Sequence, residues 1–431
     1  MKDKKFIDVP PNPLMNYSGA IKRYFMAKMR RMYRRDKFEL LKPLVKAITS
    51  NWFIKRELID FQSYRKRGSD NVEILYEDEI NLKFSSVNFF EESVDNYIYE
   101  LKNHYVYGVI LKNVMVIGCS DLILLDEQYA LYDLKFLDDD GAFDYTDYAI
   151  KLLKNDVCVL EANWAEFSIN EGILLTANYS INYYHFLLEI IAKFEMISKM
   201  NIDKSIPIIV DKACLEIPQY RELLSYFNRD NRAIISIDKE VIYKVSFLYQ
   251  ISRPNIIPPN YKNIKDIQIK HNLFSAHSLN YIRGTLLKLP EIKNTPKRVF
   301  LSRKNASGRR VYNEEAVYTV LRKYDFSIIY PEEYSIVEQV SIFKNAELIV
   351  GATGAAFTNL IFCSNSCKVI CLTNFNVNIS IFCTIAKLFN IELVYLYDKK
   401  LVLKGDSDLH SAFQIDTNKL KEALQYIIGS K

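Results

Sequence analysis

Three runs, Arg298-Val-Phe-Leu-Ser-Arg303, Leu348-Ile-Val350 and Gly351-Ala-Thr-Gly354-Ala-Ala-Phe-Thr-Asn359, decide how this chain folds. The first two are short apolar stretches of the kind that form buried parallel strands. Between them the pattern changes to helix period twice. One helix begins at Asn313-Glu314-Glu315, just after Arg309 and Arg310, and the next carries Glu338-Gln339. Strand, loop and helix thus alternate, with arginine and glycine where strands give way to loops. Open α/β sheets bind ligands in the crevice at those strand ends. A glycine turn that runs into a helix N-terminus presents free backbone N–H groups to an anion. The region is suited to a phosphorylated ligand.

Outward from this stretch the same alternation continues. Strands are expected at 298–302, 326–330, 347–350, 368–372 and 391–397, with a closing helix at about 416–428 that has room to cross back to the first half. Upstream, Ile173–Thr176, Ile206–Val210, Ala233–Ile237 and Val245–Gln250 read as strands. They are separated by helices at Asn182–Met200 and Pro218–Phe227. The Pro-rich joint from Pro254 to Pro259 is the candidate linker between the two halves. Residues 72–135 form a β-rich entry of five short runs, Val72–Tyr76, Ile80–Phe84, Tyr105–Leu111, Val114–Ile117 and Leu122–Leu125. The expected organisation is a basic helical arm (1–70), an N-terminal lobe (71–260) and a C-terminal lobe (261–431).

Composition sets the class. In 431 residues, 49% are hydrophobic and 25% charged, with 12 Gly and 12 Pro, which fits a globular enzyme and excludes a fibrous or disordered chain. No apolar run reaches the length of a membrane span, and the N-terminus lacks the apolar core of a secretion signal. Seven cysteines in apolar contexts point to reduced thiols and a cytoplasmic setting. Cys363, Cys367 and Cys371 are read as core residues rather than metal ligands. Charge is uneven. Residues 1–67 hold 18 Lys+Arg against 6 Asp+Glu, a net of +12, and the rest carry 39 against 46, a net of −7. Over residues 18–67, read as helical, apolar and aromatic residues alternate with Lys and Arg at helix spacing. That pattern suits an anionic membrane surface, such as the inner face of a cell membrane. Nucleic acid is disfavoured, because the body is acidic and carries no groove-reading motif.

Asn182-Tyr-Tyr-His185-Phe-Leu-Leu-Glu189 opens a helix that is apolar almost all round. His185, Glu189 and Lys193 are the exceptions, four residues apart and therefore on one face. A histidine with a carboxylate one turn away is a candidate general base, and the alternative is a structural pair supporting a loop. Arg303, Arg309 and Arg310 are close enough in sequence to converge on an anion, and Arg303 has a strand end to direct it. Thr353, Gly354, Ala355 and Asn359 belong to the glycine turn, and Glu338 and Gln339 to a helix whose start faces the same crevice. Asp138-Asp139-Asp140 has the residue types to chelate a divalent cation carrying a nucleotide diphosphate, but its place in a turn with Gly141 favours a solvated loop.

The ordered set His185…Glu189, Arg298–Arg303, Asn313-Glu314-Glu315, Glu338-Gln339, Gly354-Ala355-Ala356 and Asn359-Leu-Ile-Phe362 resembles glycosyltransferase family 61, with the likeness spanning roughly residues 98 to 425. Bacterial capsule and polysaccharide transferases are in that family. The resemblance implies an α/β chain of GT-B-like architecture, two facing Rossmann-like lobes with the active site between them. It implies inverting transfer from a nucleotide-sugar donor to a hydroxyl of a glycan or lipid-linked glycan acceptor, with no essential metal or cofactor. Many members carry His two residues after the first glycine, where this chain has Thr353. The diphosphate would then fall to Thr353, backbone N–H groups or Arg303. Two other readings stay open: a glycan- or nucleotide-binding protein without turnover, and a metal-dependent GT-A enzyme built on Asp138–Asp140.

Overall fold

A computed structural model describes residues 6–7, 54–68, 70–90, 97–146, 148–161, 163–263, 266–304, 311–374, 381–397 and 412–429. Arg309, Arg310 and residues 8–53 of the basic arm lie outside the described residues. The chain is mixed α/β, with one sheet of parallel and antiparallel strands and a second that is wholly parallel.

The parallel sheet runs Ser327–Ile329, Arg298–Leu301, Leu348–Ala352, Lys368–Leu372, Glu392–Leu396. Its strands read as unbroken apolar runs because both faces are covered. Val299, Phe300, Ile349, Val350, Val369 and Ile370 are all inaccessible to solvent. In chain order this is 2-1-3-4-5, so strand order reverses between Arg298–Leu301 and Leu348–Ala352. Ligands of open α/β sheets bind at such a reversal. The register Leu301↔Gly351 sets Ser302-Arg303 beside Ala352-Thr353 there.

The mixed sheet contains a second reversal. Ile234–Ile237, Ile208–Asp211, Ile169–Leu175 and Val241–Ile251 are parallel neighbours in that order, 3-2-1-4 along the chain. The register Ile173↔Tyr249 carries Thr176 alongside Ser252. The β-rich entry completes this sheet, with fewer and longer strands than the sequence runs suggest. Val72–Ser85 pairs with Ile98–Ile117, which pairs in turn with Val241–Ile251.

One element differs from its expected reading. Ile54–Ile59, read as part of a helical arm, is a strand between Tyr129–Leu131 and Val157–Leu160. Its outer residues alternate in burial, and period two over six residues reads as strand once partners exist. In the Pro254–Pro259 segment, Ile256 forms an isolated β-bridge with Leu273. Asn255 is inaccessible there, and Phe274–Ser275 beyond it pairs with Val72–Ser85. The closing helix, Thr417–Gly429, lies on the parallel sheet, with Tyr426 meeting Phe90 of the first half. Leu420, Ala423, Leu424 and Ile427 pack on Phe300, Val350 and Ile370 of the parallel sheet.

One apolar core joins the sheets. Leu175, Leu188 and Ile208 belong to the same buried cluster as Val299, Ile349 and Phe382. Among the described residues no helix is long and apolar enough to cross a membrane.

Asp211, at the end of a central strand, is wholly buried and accepts a 2.6 Å hydrogen bond from the Cys119 backbone N–H. Burial raises its pKa from 3.8 to about 6. The folded chain therefore holds a proton there that the unfolded chain has released. Asp211's contribution to stability is full below the unfolded value and falls as pH rises through the folded one. Asp211→Asn keeps the acceptor and cannot ionise. The variant's melting temperature should gain on the wild type between pH 4 and 6, as differential scanning fluorimetry would record.

Candidate functional site

Each reversal ends in the same short sequence, an apolar residue, serine and arginine. Ile251-Ser252-Arg253 closes the strand in the first sheet and Leu301-Ser302-Arg303 the strand in the second. A strand end fixes the direction of the side chain that follows it. The two arginines meet different partners.

On the first side, Asn182 caps the helix by accepting from Tyr184 N–H, and the helix then widens. Phe186–Ile191 is wound as a π-helix, with Ala192 N–H donating to Leu187 C=O five residues back. Such turns recur at functional positions. His185 Nδ1 lies 2.9 Å from Glu189 Oε2, and Arg253 Nη1 donates to Glu189 Oε1 at 2.5 Å. Arg253 also forms an ion pair with Asp121. Glu189 is only 2% exposed. A carboxylate so buried needs both partners. With Arg253 and His185 bound to it, Glu189 remains an acceptor, so His185 carries its proton on Nδ1 and presents Nε2 as the basic nitrogen. Burial lowers the Arg253 pKa, although a guanidinium between two carboxylates stays charged.

On the second side, Arg303 Nη1 donates to the Thr353 carbonyl at 3.2 Å and lies against Gly354. A Cβ on Gly354 would sit 1.5 Å from Nη1, so glycine here makes room for the guanidinium. Arg303 Nε is buried and has no acceptor among the described residues. Burial lowers its pKa, with Tyr312 and Glu314 opposing. Gly354 leads into the helical turns Ala355–Phe362, whose first N–H groups open at the same place. Thr358 Oγ1, inside those turns, and Thr373 Oγ1, just past the next strand, are also buried without partners. An anion at this edge would meet a guanidinium and amide hydrogens together.

The two sides touch. Tyr183 O–H donates to Asn359 Oδ1 at 2.6 Å, and Asn359 Nδ2 donates to Gln339 Oε1 at 2.9 Å. Gln339 Nε2 in turn donates to the carbonyls of Pro331 and Tyr334. Asn359 is four residues beyond Ala355, about 8 Å along 3₁₀ turns. The His185 turn therefore docks one short helix-length from the Arg303 corner.

The expected site residues thus separate into groups. His185 and Glu189 are a bonded pair, and Arg303, Thr353, Gly354 and Ala355 form one corner. Gln339 and Asn359 serve the joint between the sides. Glu338 closes a capping box, its Oε2 accepting from Ser335 N–H and Oγ–H. Asp138, Asp139 and Asp140 spend their carboxylates on the Ala142 and Phe143 N–H groups, Lys270 and His271. Among the described residues no group of His, Cys, Asp and Glu is arranged to hold a metal ion. Sequence reasoning missed Arg253 and Asp121. The signal for Arg253 was present, because it follows a strand end just as Arg303 does.

Residues 183–370 match the glycosyltransferase 61 family. The matched segment runs from Tyr183 at the joint to the fourth strand of the parallel sheet and takes in His185, Glu189, Arg253, Arg303 and the Gly354 corner. It is narrower than the span of about 98 to 425 expected from sequence motifs. The match is to a family of glycosyltransferases and points to glycosyl transfer. No curated protein matches the chain.

Two substitutions separate the corner from the joint. Gly354→Ala must displace the Arg303 guanidinium. Nucleoside diphosphate affinity, by calorimetry, should fall roughly tenfold or more with little change in melting temperature, because charge-assisted hydrogen bonds are the interaction lost. Asn359→Leu strands the Tyr183 hydroxyl and the Gln339 oxygen. Urea denaturation should show a loss of about 2–3 kcal/mol.

Proposed function

We propose that the protein is an inverting, GT-B-like glycosyltransferase that moves a sugar from a nucleotide-sugar donor to a hydroxyl of a cell-surface or lipid-linked glycan. The observation that carries this reading is the pairing of two strand-order reversals. One bears an oriented imidazole and the other a guanidinium with free amide hydrogens, and the Tyr183–Asn359 bond joins them.

In this mechanism His185 Nε2 takes the proton from the acceptor hydroxyl. The acceptor oxygen forms a bond to the anomeric carbon from the face opposite the leaving group. The bond from that carbon to the diphosphate oxygen breaks, and its electron pair leaves with the nucleoside diphosphate. Arg303 and the N–H groups at Gly354-Ala355 meet the charge that grows on the diphosphate, the term that preorganised donors supply to catalysis. Glu189 holds the imidazole in the tautomer that accepts a proton and stabilises the imidazolium that forms. Thr353, beside Arg303, takes the place where many relatives carry histidine. Arg309 and Arg310 are proposed as further donor contacts from sequence alone. The basic N-terminal arm is proposed to hold the enzyme at an anionic membrane surface, and a cytoplasmic setting fits that role.

Transfer or donor hydrolysis, followed by nucleoside diphosphate release over a panel of nucleotide sugars, tests the reading. Arg303→Ala should lower kcat about 10²–10³-fold with the fold intact. His185→Ala should abolish transfer yet keep donor binding. Full turnover in either variant would remove that residue from the site, and no turnover or donor binding in the wild type would leave a glycan-binding protein.

A further inference from the structure

The first sheet borders a cavity of about 450 Å³ that the mechanism above leaves unused. That volume lies within the range of small-molecule sites. Arg253 is part of its wall and also holds Glu189, so anything bound here is one guanidinium away from the catalytic pair.

The cavity has two characters. Its lining includes Lys193, 2% exposed and with no hydrogen bond or ion pair among the described residues, and Gln250, 7% exposed, whose Oε1 has no donor among them. Asp121 adds a second buried oxygen without a donor, Oδ1. An amine beside two acceptor oxygens is complementary to a group of neighbouring hydroxyls, each of which both donates and accepts. Burial brings the Lys193 pKa down to about 8, with Glu189 opposing. The other character is apolar. Leu101, Phe136 and Leu137 line the same cavity and are 43%, 42% and 41% exposed, which places three large apolar side chains where it meets solvent. Buried polar groups without partners among the described residues, together with exposed Leu101, Phe136 and Leu137 beside Lys102 and Asn103, match an amphiphile with a hydroxylated head.

We propose that this cavity binds the saccharide head of an acceptor that carries an alkyl or polyprenyl chain. The head's hydroxyls engage Lys193, Gln250 and Asp121, and the first carbons of the chain lie on Leu101, Phe136 and Leu137. The assignment of the ligand as an acceptor rests on the glycosyl-transfer reading.

The test uses the full chain without donor and compares methyl with octyl β-glycosides of glucose, galactose and N-acetylglucosamine below micelle-forming concentrations. Binding is read by saturation-transfer NMR and calorimetry. At least one octyl glycoside should bind tenfold or more tighter than its methyl counterpart, and Phe136→Ser with Leu137→Ser should erase that difference. Lys193→Met should weaken both glycosides of the pair about tenfold. Should Lys193→Met fail to fold, the variant at exposed Phe136 and Leu137 still decides the case. Equal binding of methyl and octyl forms, an octyl preference that survives the Phe136 and Leu137 variant, or no glycoside binding at all would overturn the proposal. Stabilisation by nucleotide sugars, measured in parallel, reports on the other site. If it is absent while octyl glycosides bind at the cavity, the transfer reading fails and the binding site stands.

Discussion

A carboxylate buried to 2% exposure is the constraint around which the first half of the site is organised. Glu189 cannot stay ionised there without compensation, and the fold supplies it from two directions. Arg253 comes from the end of a central strand and His185 from one turn earlier in the same helix. Each partner is then fixed in turn. Arg253 is held by Asp121, and His185 by a π-wound turn that has no freedom to relax among Leu187, Leu188, Ile190 and Ile191. The chemistry of the imidazole follows from electrostatics before any substrate arrives, because the only nitrogen left free is the one facing away from Glu189.

The second half answers a different need. Arg303 is a cation that the protein has desolvated without giving it a carboxylate partner in hydrogen-bond contact. Its Nε has no acceptor among the described residues, and Nη1 reaches a carbonyl at 3.2 Å. Gly354 is kept bare so that the guanidinium can lie flat against the chain. A structural arginine would ordinarily be paired or left in water. One that is half-buried with its Nε enclosed, only partly satisfied and placed at a strand-order reversal beside free amide hydrogens, is arranged for a ligand that brings its own negative charge.

How much of this was legible in the sequence depended on range. The parallel sheet was readable nearly strand for strand, because runs such as Lys368–Leu372 are apolar on both faces and broken by polar turns. Ile54–Ile59 was misread because it lies next to a strongly basic, helix-patterned stretch, and only its neighbours at 129–131 and 157–160 make it a strand. His185 and Glu189 were readable because helix spacing puts them together. Arg253 carried a local signal as a strand-end arginine, but its pairing was not readable, since no local pattern brings residues 121, 189 and 253 into contact. The same limit explains Glu338, Gln339 and Asn359. Their polarity and position suggested a ligand, whereas a capping box and a chain of buried amides account for their bonds.

The joint between the two sides bears on how such a site would work. The core is continuous from Leu188 to Phe382, and the polar bonds across it include Tyr183 to Asn359 and the Ile336 N–H to Glu222 Oε2 at 2.8 Å. Swinging the sheets apart as rigid bodies would expose that core and break buried hydrogen bonds together, with no water to replace them during the motion. The half-buried Arg303 corner, at a carboxyl edge, lies outside that apolar core. A ligand would therefore enter with the two reversals held at a fixed separation. A fixed separation suits a single displacement, in which the base and the leaving-group clamp must face one carbon at the same moment.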